Sequence, residues 1–278
     1  MRTKMSFSSK LYTALIFIFL YAPLAVLVLF SFNSSESTSV FTGFSMQWYR
    51  SVLEDTATIA ALKNTIKLAL CSSVISTVAG TVAAVGIDAF KSKWVKSTVM
   101  SVTNLPMMNP DIVTGISMML LFVFVGRILG KQEVLGFGAM LIAHVTFNLP
   151  YVILSVLPKL RQVDTHIPEA AEDLGCTPAQ AFFKVVLPMI SSGIVTGMMM
   201  AFTLSLDDLI ISYFTSGNIQ TLPVLIFSMT KKRVTPDMYA LSTLIFVAIL
   251  ILLIIINVGQ IRGDKKMRNT PSRKKRAK

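Results

Sequence analysis

Six long, nearly uncharged stretches punctuate the chain, separated by short polar segments that hold most of the charge. Leu11 to Phe32 is an uncharged run of 22 residues that follows Arg2, Lys4 and Lys10. A cleaved signal peptide has an apolar core of roughly 7–15 residues and a small-x-small site after it. Here Asn33-Ser34-Ser35-Glu36 follows, so the run reads as an uncleaved span. Leu68 to Ile87 is a second uncharged run, with Gly80 and Gly86 suited to close helix packing in lipid. Ser97 to Gly126 is interrupted by Pro106, Pro110 and Asp111 and divides into two pieces too short to span separately. It predicts one broken helix, a form tolerated only where protein or a water-filled path surrounds the irregular backbone. Val134 to Leu157, Pro188 to about Phe214 and Met238 to Ile261 predict three further spans. The expected fold is therefore an all-α integral membrane protein of six transmembrane helices.

Composition agrees. Of 278 residues, 53% are hydrophobic and 14% are charged, and the mean hydropathy is +0.67. A soluble domain carries about 25% charged residues, so a disordered chain, a fibrous protein and an ordinary cytosolic enzyme are excluded. The expected organisation is an N-terminal tail at 1–10, a six-helix membrane domain at 11–261 with a polar loop at 158–188, and a basic tail at 262–278. Net charge is +12, and the tail from Arg262 to Lys278 holds nine basic residues against Asp264 alone. That placement favours a cytoplasmic end beside anionic lipid over nucleic acid. With both termini inside, inner segments hold 18 Lys and Arg and outer loops hold 7, with Lys67 at a helix start. This is the expected sense of the positive-inside rule. The bias rests on the tails, since the inner loops alone hold 6. Two cysteines, Cys71 and Cys176, and two histidines supply neither a disulfide framework nor a metal site.

The loop between spans four and five is the most informative segment. Asp164 or Thr165 suits the cap of a short helix, and Pro168 is tolerated in its first turn, where amides lack partners. Gly175 suits a left-handed residue just past the helix end. Thr177 and Pro178 restart a helix as cap and first residue, and Pro188 marks entry to the membrane. A short helix with small residues at Ala170 and Ala171 suits a partner's groove.

Glu169-Ala170-Ala171, three residues, Gly175, then Val185, Leu187 and Pro188 resemble the EAA loop of ABC importer permeases, with Val185 where Ile is usual. The resemblance implies a type I permease fold and a cytoplasmic loop whose Glu169, Ala170, Ala171, Asp173 and Gly175 couple to an ATPase. Further motifs resemble permeases of the spermidine/putrescine type. These are Ser31 to Ser35, Gln47-Trp48-Tyr49, Asn109 to Val113, Phe202 to Asp208, Thr221-Leu222-Pro223 and Val234-Thr235-Pro236. Together they cover about Leu11 to Ile261.

Asp207 and Asp208 lie in an apolar span, where a carboxylate costs roughly 2.5–3.5 kcal/mol on insertion scales. They should face protein, water or a cation. Adjacent residues on a helix point about 100° apart, so one shared role is not expected. Lining a path for a polycation is one role, and capping a helix or pairing with a basic group is the other. Asp111, just after Pro110, reads as a cap for the resumed helix or as a second cation contact. Tyr213 offers a face to an ammonium or an interfacial anchor. Trp48 and Tyr49 read as interfacial anchors or as a docking point for a substrate-binding protein, and His144 as a hydrogen bond between helices. Gly193 and Gly197 suit close contact, with the second permease subunit as one candidate. Gly126, Gly130 and Lys131 approximate a phosphate loop, but the spacing is one residue short and Gln132 stands where Ser or Thr is required.

The sequence reading is thus a permease subunit, not an enzyme, in a bacterial inner membrane with both termini cytoplasmic and no cofactor. Its expected partners are an ATPase dimer, a second homologous permease in a heterodimer, an extracytoplasmic binding protein and membrane lipid, with no nucleic acid. The expected cargo is a polyamine. Ferric iron, thiamine or an opine is the alternative within the same class, and a self-contained secondary transporter the alternative outside it.

Overall fold

A computed structural model describes residues 7–36, 40–164, 166–231 and 235–268; the side-chain surroundings of 7, 252, 253 and 255–268 lie outside that description. In chain order the helices are α1 (Phe7–Phe30), α2 (Gln47–Glu54), α3 (Thr56–Ala89), α4 (Lys93–Met108), α5 (Asp111–Ile128) and α6 (Phe137–Leu160). They continue with α7 (His166–Asp173), α8 (Pro178–Ala181), α9 (Leu187–Asp207), α10 (Ile210–Thr215), α11 (Leu222–Thr230) and α12 (Pro236–Arg268). Among the described residues there is no β-strand, and five helices are long and apolar enough to cross a membrane. The sixth expected span falls on α12, where Pro236–Ile251 is a shorter apolar helix.

The third span differs from expectation. Asn109 and Pro110 separate α4 from α5, and α5 alone has 18 residues and suffices to cross. The helix carries Arg127 in its last turn, where a cation complements the dipole, so the charge does not end it. The second span is likewise longer than its apolar run. Asp55 caps α3, accepting from the amides of Ala57 (3.2 Å) and Thr58 (3.0 Å) and from the Thr58 hydroxyl.

The chain forms two compact units, one of Met1–Ile59 and Ile226–Leu253, the other of Ala60–Leu225 and Ile254–Lys278. In the first, two motifs from the sequence meet. The Trp48 indole donates to the Asn33 carbonyl at 2.7 Å, and the Ser31 and Tyr49 hydroxyls share a 2.6 Å hydrogen bond. The buried Asn33 amide accepts from Thr42 N (2.9 Å) and donates to Val40 O (2.8 Å). Both aromatics therefore hold the loop after α1 together.

In the second unit α6 packs on α3 and α9. Its apolar core includes Ala84, Val152, Ile153, Val156, Leu157, Ile190 and Ala201. A Cβ at Gly80 would lie 2.7 Å from Val152, and one at Gly193 would lie 2.8 Å from Ser155 O. At Gly197 the nearest atom would be Val152 Cα, at 3.2 Å. Gly193 and Gly197 thus seat α9 on α6 within this chain rather than against a second subunit. Gly86 has nothing within 4 Å of a Cβ and makes no close contact.

Candidate coupling loop and helix break

The polar loop is built by its own caps. His166 N donates to Asp164 Oδ1 at 3.0 Å, which starts α7; Thr165 lies outside the described residues. At the other end Gly175 N bonds Glu172 O (2.8 Å) and Cys176 N bonds Ala171 O (3.1 Å). This is the paired closure of a Schellman motif, which requires a left-handed residue. Gly175 supplies it, with φ +88° and open space around it. Thr177 and Gln180 then form a capping box that opens α8, with Pro178 at its start.

The chain from Pro178 to Asp207 is one continuous 30-residue helix. Pro188 does not begin it. A proline inside a helix clashes with the carbonyl four residues earlier and lacks an amide. Here a π-helical turn, Phe182–Val186, precedes it and widens the backbone where Lys184 O must be accommodated.

Glu169, Ala170, Asp173 and Gly175 are exposed, Ala171 is half-buried, and Leu174 is 88% exposed. Glu172 and Asp173 occupy the last turn of α7, where acids oppose the helix dipole. That arrangement lowers the helix's own stability and leaves an acidic, apolar-tipped end facing outward. His166 Nδ1 lies 3.1 Å from Glu169 Oε2, and this hydrogen bond, with the charge of Asp164, holds the imidazole pKa above its ordinary value.

The two adjacent aspartates separate completely. Asp207 is the last residue of α9 and is exposed. At Asp208 the backbone turns extended (φ −64°, ψ 116°) and ends the helix. Its carboxylate caps α10, accepting from Ser212 N (2.7 Å) and Ile211 N (3.3 Å). His144 Nε2, on α6, lies 3.3 Å from Asp208 Oδ2 and 3.1 Å from Ser212 Oγ. Side-chain exposure is 2% for His144 and 9% for Asp208. One turn further along α6, Asn148 Nδ2 donates to Ser205 Oγ (2.7 Å), which bonds Ser72 Oγ on α3 (2.8 Å).

Asp111 is the first residue of α5 and is exposed; Pro110, not Asp111, holds the cap position, and no side-chain cap bond is formed there. Asp111 complements the helix dipole instead. Tyr213, 48% exposed, meets Phe214 edge to face at 5.5 Å. α10 packs on α5, where Gly115 lies close to Phe214 and Ile210 O. The element carrying Asp111 thus adjoins the one carrying Tyr213. The Ser72–Ser205–Asn148 network was missed in the sequence, although His144 and Asn148 four apart, and Ser72 and Ser76 four apart, place polar groups on single faces of apolar helices.

The sequence profile of the binding-protein-dependent transport system inner membrane component matches residues 76–269. The chain belongs to this family. As a member of it, the chain is 41% identical over 234 residues to the putrescine transport system permease PotI of Escherichia coli K12, covering 84% of this chain and 83% of that one. It is 34% identical over 256 residues to the spermidine/putrescine permease PotC of the same strain, covering 92% and 94%. Its fold matches a crystal structure of a bacterial alginate ABC transporter in complex with an alginate-bound periplasmic protein. The TM-score there is 0.68 at 16% identity, over 95% of this chain and 96% of that one. This permease is therefore an inner-membrane transport component of ABC importer fold.

Proposed function

We propose that this permease is one of two homologous membrane subunits of an ATP-driven polyamine importer, with putrescine and spermidine as cargo. The 41% identity to a putrescine permease over most of the chain carries the cargo assignment. A binding protein delivers the polyamine outside, and a partner ATPase dimer hydrolyses ATP inside, so the chain itself is not an enzyme. The termini and the basic tail at 262–278 lie on the cytoplasmic side. Glu169, Ala170, Ala171, Asp173 and Gly175 form the coupling surface for the ATPase, a role supported by the rigid double closure around Gly175 and the outward acidic end of α7. Asp207 is the cargo-facing carboxylate, with Asp111 and Tyr213 as further path contacts. A carboxylate accepts from an alkylammonium, which has donors only. Asp208 serves the path indirectly, because its oxygens are engaged by His144, Ser212 and Ile211.

Purification from native membranes in mild detergent, followed by reconstitution with the co-purifying subunits and binding protein, tests the reading. The expected result is ATP-dependent uptake of labelled putrescine or spermidine. Uptake of ferric iron or thiamine with no polyamine uptake sinks the cargo assignment. Uptake by this chain alone, without ATP, sinks the importer itself.

A further inference from the structure

A second charged cluster lies at the end of the unit where α6 gives way to the coupling loop. Asp88, in the last turn of α3, holds Lys96 of α4 through its side chain and its backbone. Lys96 Nζ is 3.0 Å from Asp88 Oδ1 and 3.2 Å from Asp88 O. The same Oδ1 is 3.6 Å from Nε of Arg161, the residue that caps the C-terminus of α6 and begins the loop. The Lys96 and Asp88 side chains are 26% and 34% exposed, so the pair is partly shielded from solvent.

The consequence for α4 is specific. α4 has no buried residue and meets the core only through partly buried groups such as Val99 and Met100. Among the described residues, Lys96 makes the only side-chain hydrogen bonds and ion pair from α4 to another helix. Lys96 lies in the first turn of α4, and the other end of that helix is the break at Asn109 and Pro110, from which α5 departs. A helix held by packing alone slides easily against its neighbours. One also held at two points by a single residue, its carboxylate and its carbonyl, follows that residue.

We infer that Asp88 is a positioning residue that ties the root of the coupling loop, through Arg161, to α4, through Lys96, so that displacement of the loop moves α4 and the helix break beyond it. This rests on the coupling role proposed for the loop. The contribution of Asp88 is mechanical, and its removal should separate ATP hydrolysis from transport.

The test uses the complete transporter in proteoliposomes, measuring ATP hydrolysis and putrescine uptake together, with and without loaded binding protein. Asp88→Asn should assemble, keep its basal hydrolysis, and lose about tenfold in uptake per ATP hydrolysed, within the range of ordinary coupling between sites. Asp88→Glu, which keeps the charge, should recover most of the loss. The exchange Asp88→Lys with Lys96→Asp, which rebuilds the α3–α4 pair, should recover part. A merely structural role predicts instead that hydrolysis and uptake fall together in proportion to assembled protein. An Asp88→Asn transporter with unchanged uptake per ATP overturns the inference. If that variant fails to assemble, Lys96→Gln decides, since it frees α4 alone, and normal uptake per ATP in Lys96→Gln overturns the inference equally. A wild-type transporter whose hydrolysis ignores loaded binding protein faults the proposed function rather than the role of Asp88.

Discussion

Asp208 and Asp207 are neighbours in sequence and opposites in environment: one is locked to His144 at 3.3 Å and the other is exposed at the end of α9. The difference follows from the helix ending between them. A carboxylate that caps α10 and faces an imidazole cannot also be given up to a passing cation without unravelling the break. A carboxylate on the last turn of α9 has no such duty.

The first prediction separates the two. Asp208→Ala should destabilise the protein by about 1–3 kcal/mol, through the lost cap of α10 and the buried donors left without an acceptor. Asp208→Asn should cost less, since Asn is nearly as good a cap as Asp. Asp207→Asn should leave thermal unfolding in detergent unchanged while uptake falls. Equal melting shifts for Asp207→Asn and Asp208→Asn would contradict the assignment.

The α6–α9 crossing gives a second. Gly193→Ala places a methyl against Ser155 O, a backbone atom that cannot rotate away. Overpacking of this kind costs about 1–3 kcal/mol. Gly86→Ala, with open space at the Cβ position, should be neutral or stabilising by up to about 1 kcal/mol, as expected for Gly to Ala within a helix. Thermal unfolding of the two variants side by side checks the ordering, and a reversed order refutes the packing.

Gly175→Ala forces a side chain into a left-handed conformation at φ +88°, a penalty of about 1–2 kcal/mol. The strain falls on the exposed end of α7 and leaves the membrane helices untouched. Global melting should therefore barely move while co-purification of the ATPase weakens. Retention of wild-type ATPase yield would argue against this end of α7 as the coupling surface.

The His166–Glu169 pair carries a pH signature. The folded-state pKa of His166 lies above its unfolded value near 6.5. Its stabilisation of α7 is therefore full below about pH 6.5 and is lost as pH rises through the higher folded value. Histidine NMR titration should find His166 above its ordinary value, and Glu169→Gln should bring it down. An unshifted midpoint in Glu169→Gln would show that the pair does not form.

Much of this architecture was legible in residue patterns. Five of the six apolar runs fall on helices long and apolar enough to cross a membrane, and the capping residues Asp164, Gly175, Thr177 and Pro178 described the polar loop turn by turn. Three things were not legible, each for a physical reason. Charge bounds an apolar run but does not stop a helix, so α3 and α5 extend past Lys67 and Arg127. Adjacency showed that Asp207 and Asp208 point apart but not which of them caps α10, because the backbone turns at the second of them. The partners of Gly193 and Gly197 depend on which helix arrives, and spacing along one helix cannot name Val152 and Ser155 on another.

The unbroken helix from Pro178 to Asp207 has a further consequence. At 1.5 Å per residue its 30 residues extend about 45 Å, well beyond a hydrocarbon core of about 30 Å. It is held along most of that length: Val186, Ile190 and Ala201 lie in the core, Gly193 and Gly197 press onto α6, and Ser205 is bonded to Asn148. A rod held along its length shifts as one piece. Travel at the Pro178 end therefore reaches Asp207 in the same direction. The π-helical turn at Phe182–Val186 sits between the loop and the held segment, where a compliant joint absorbs part of each displacement.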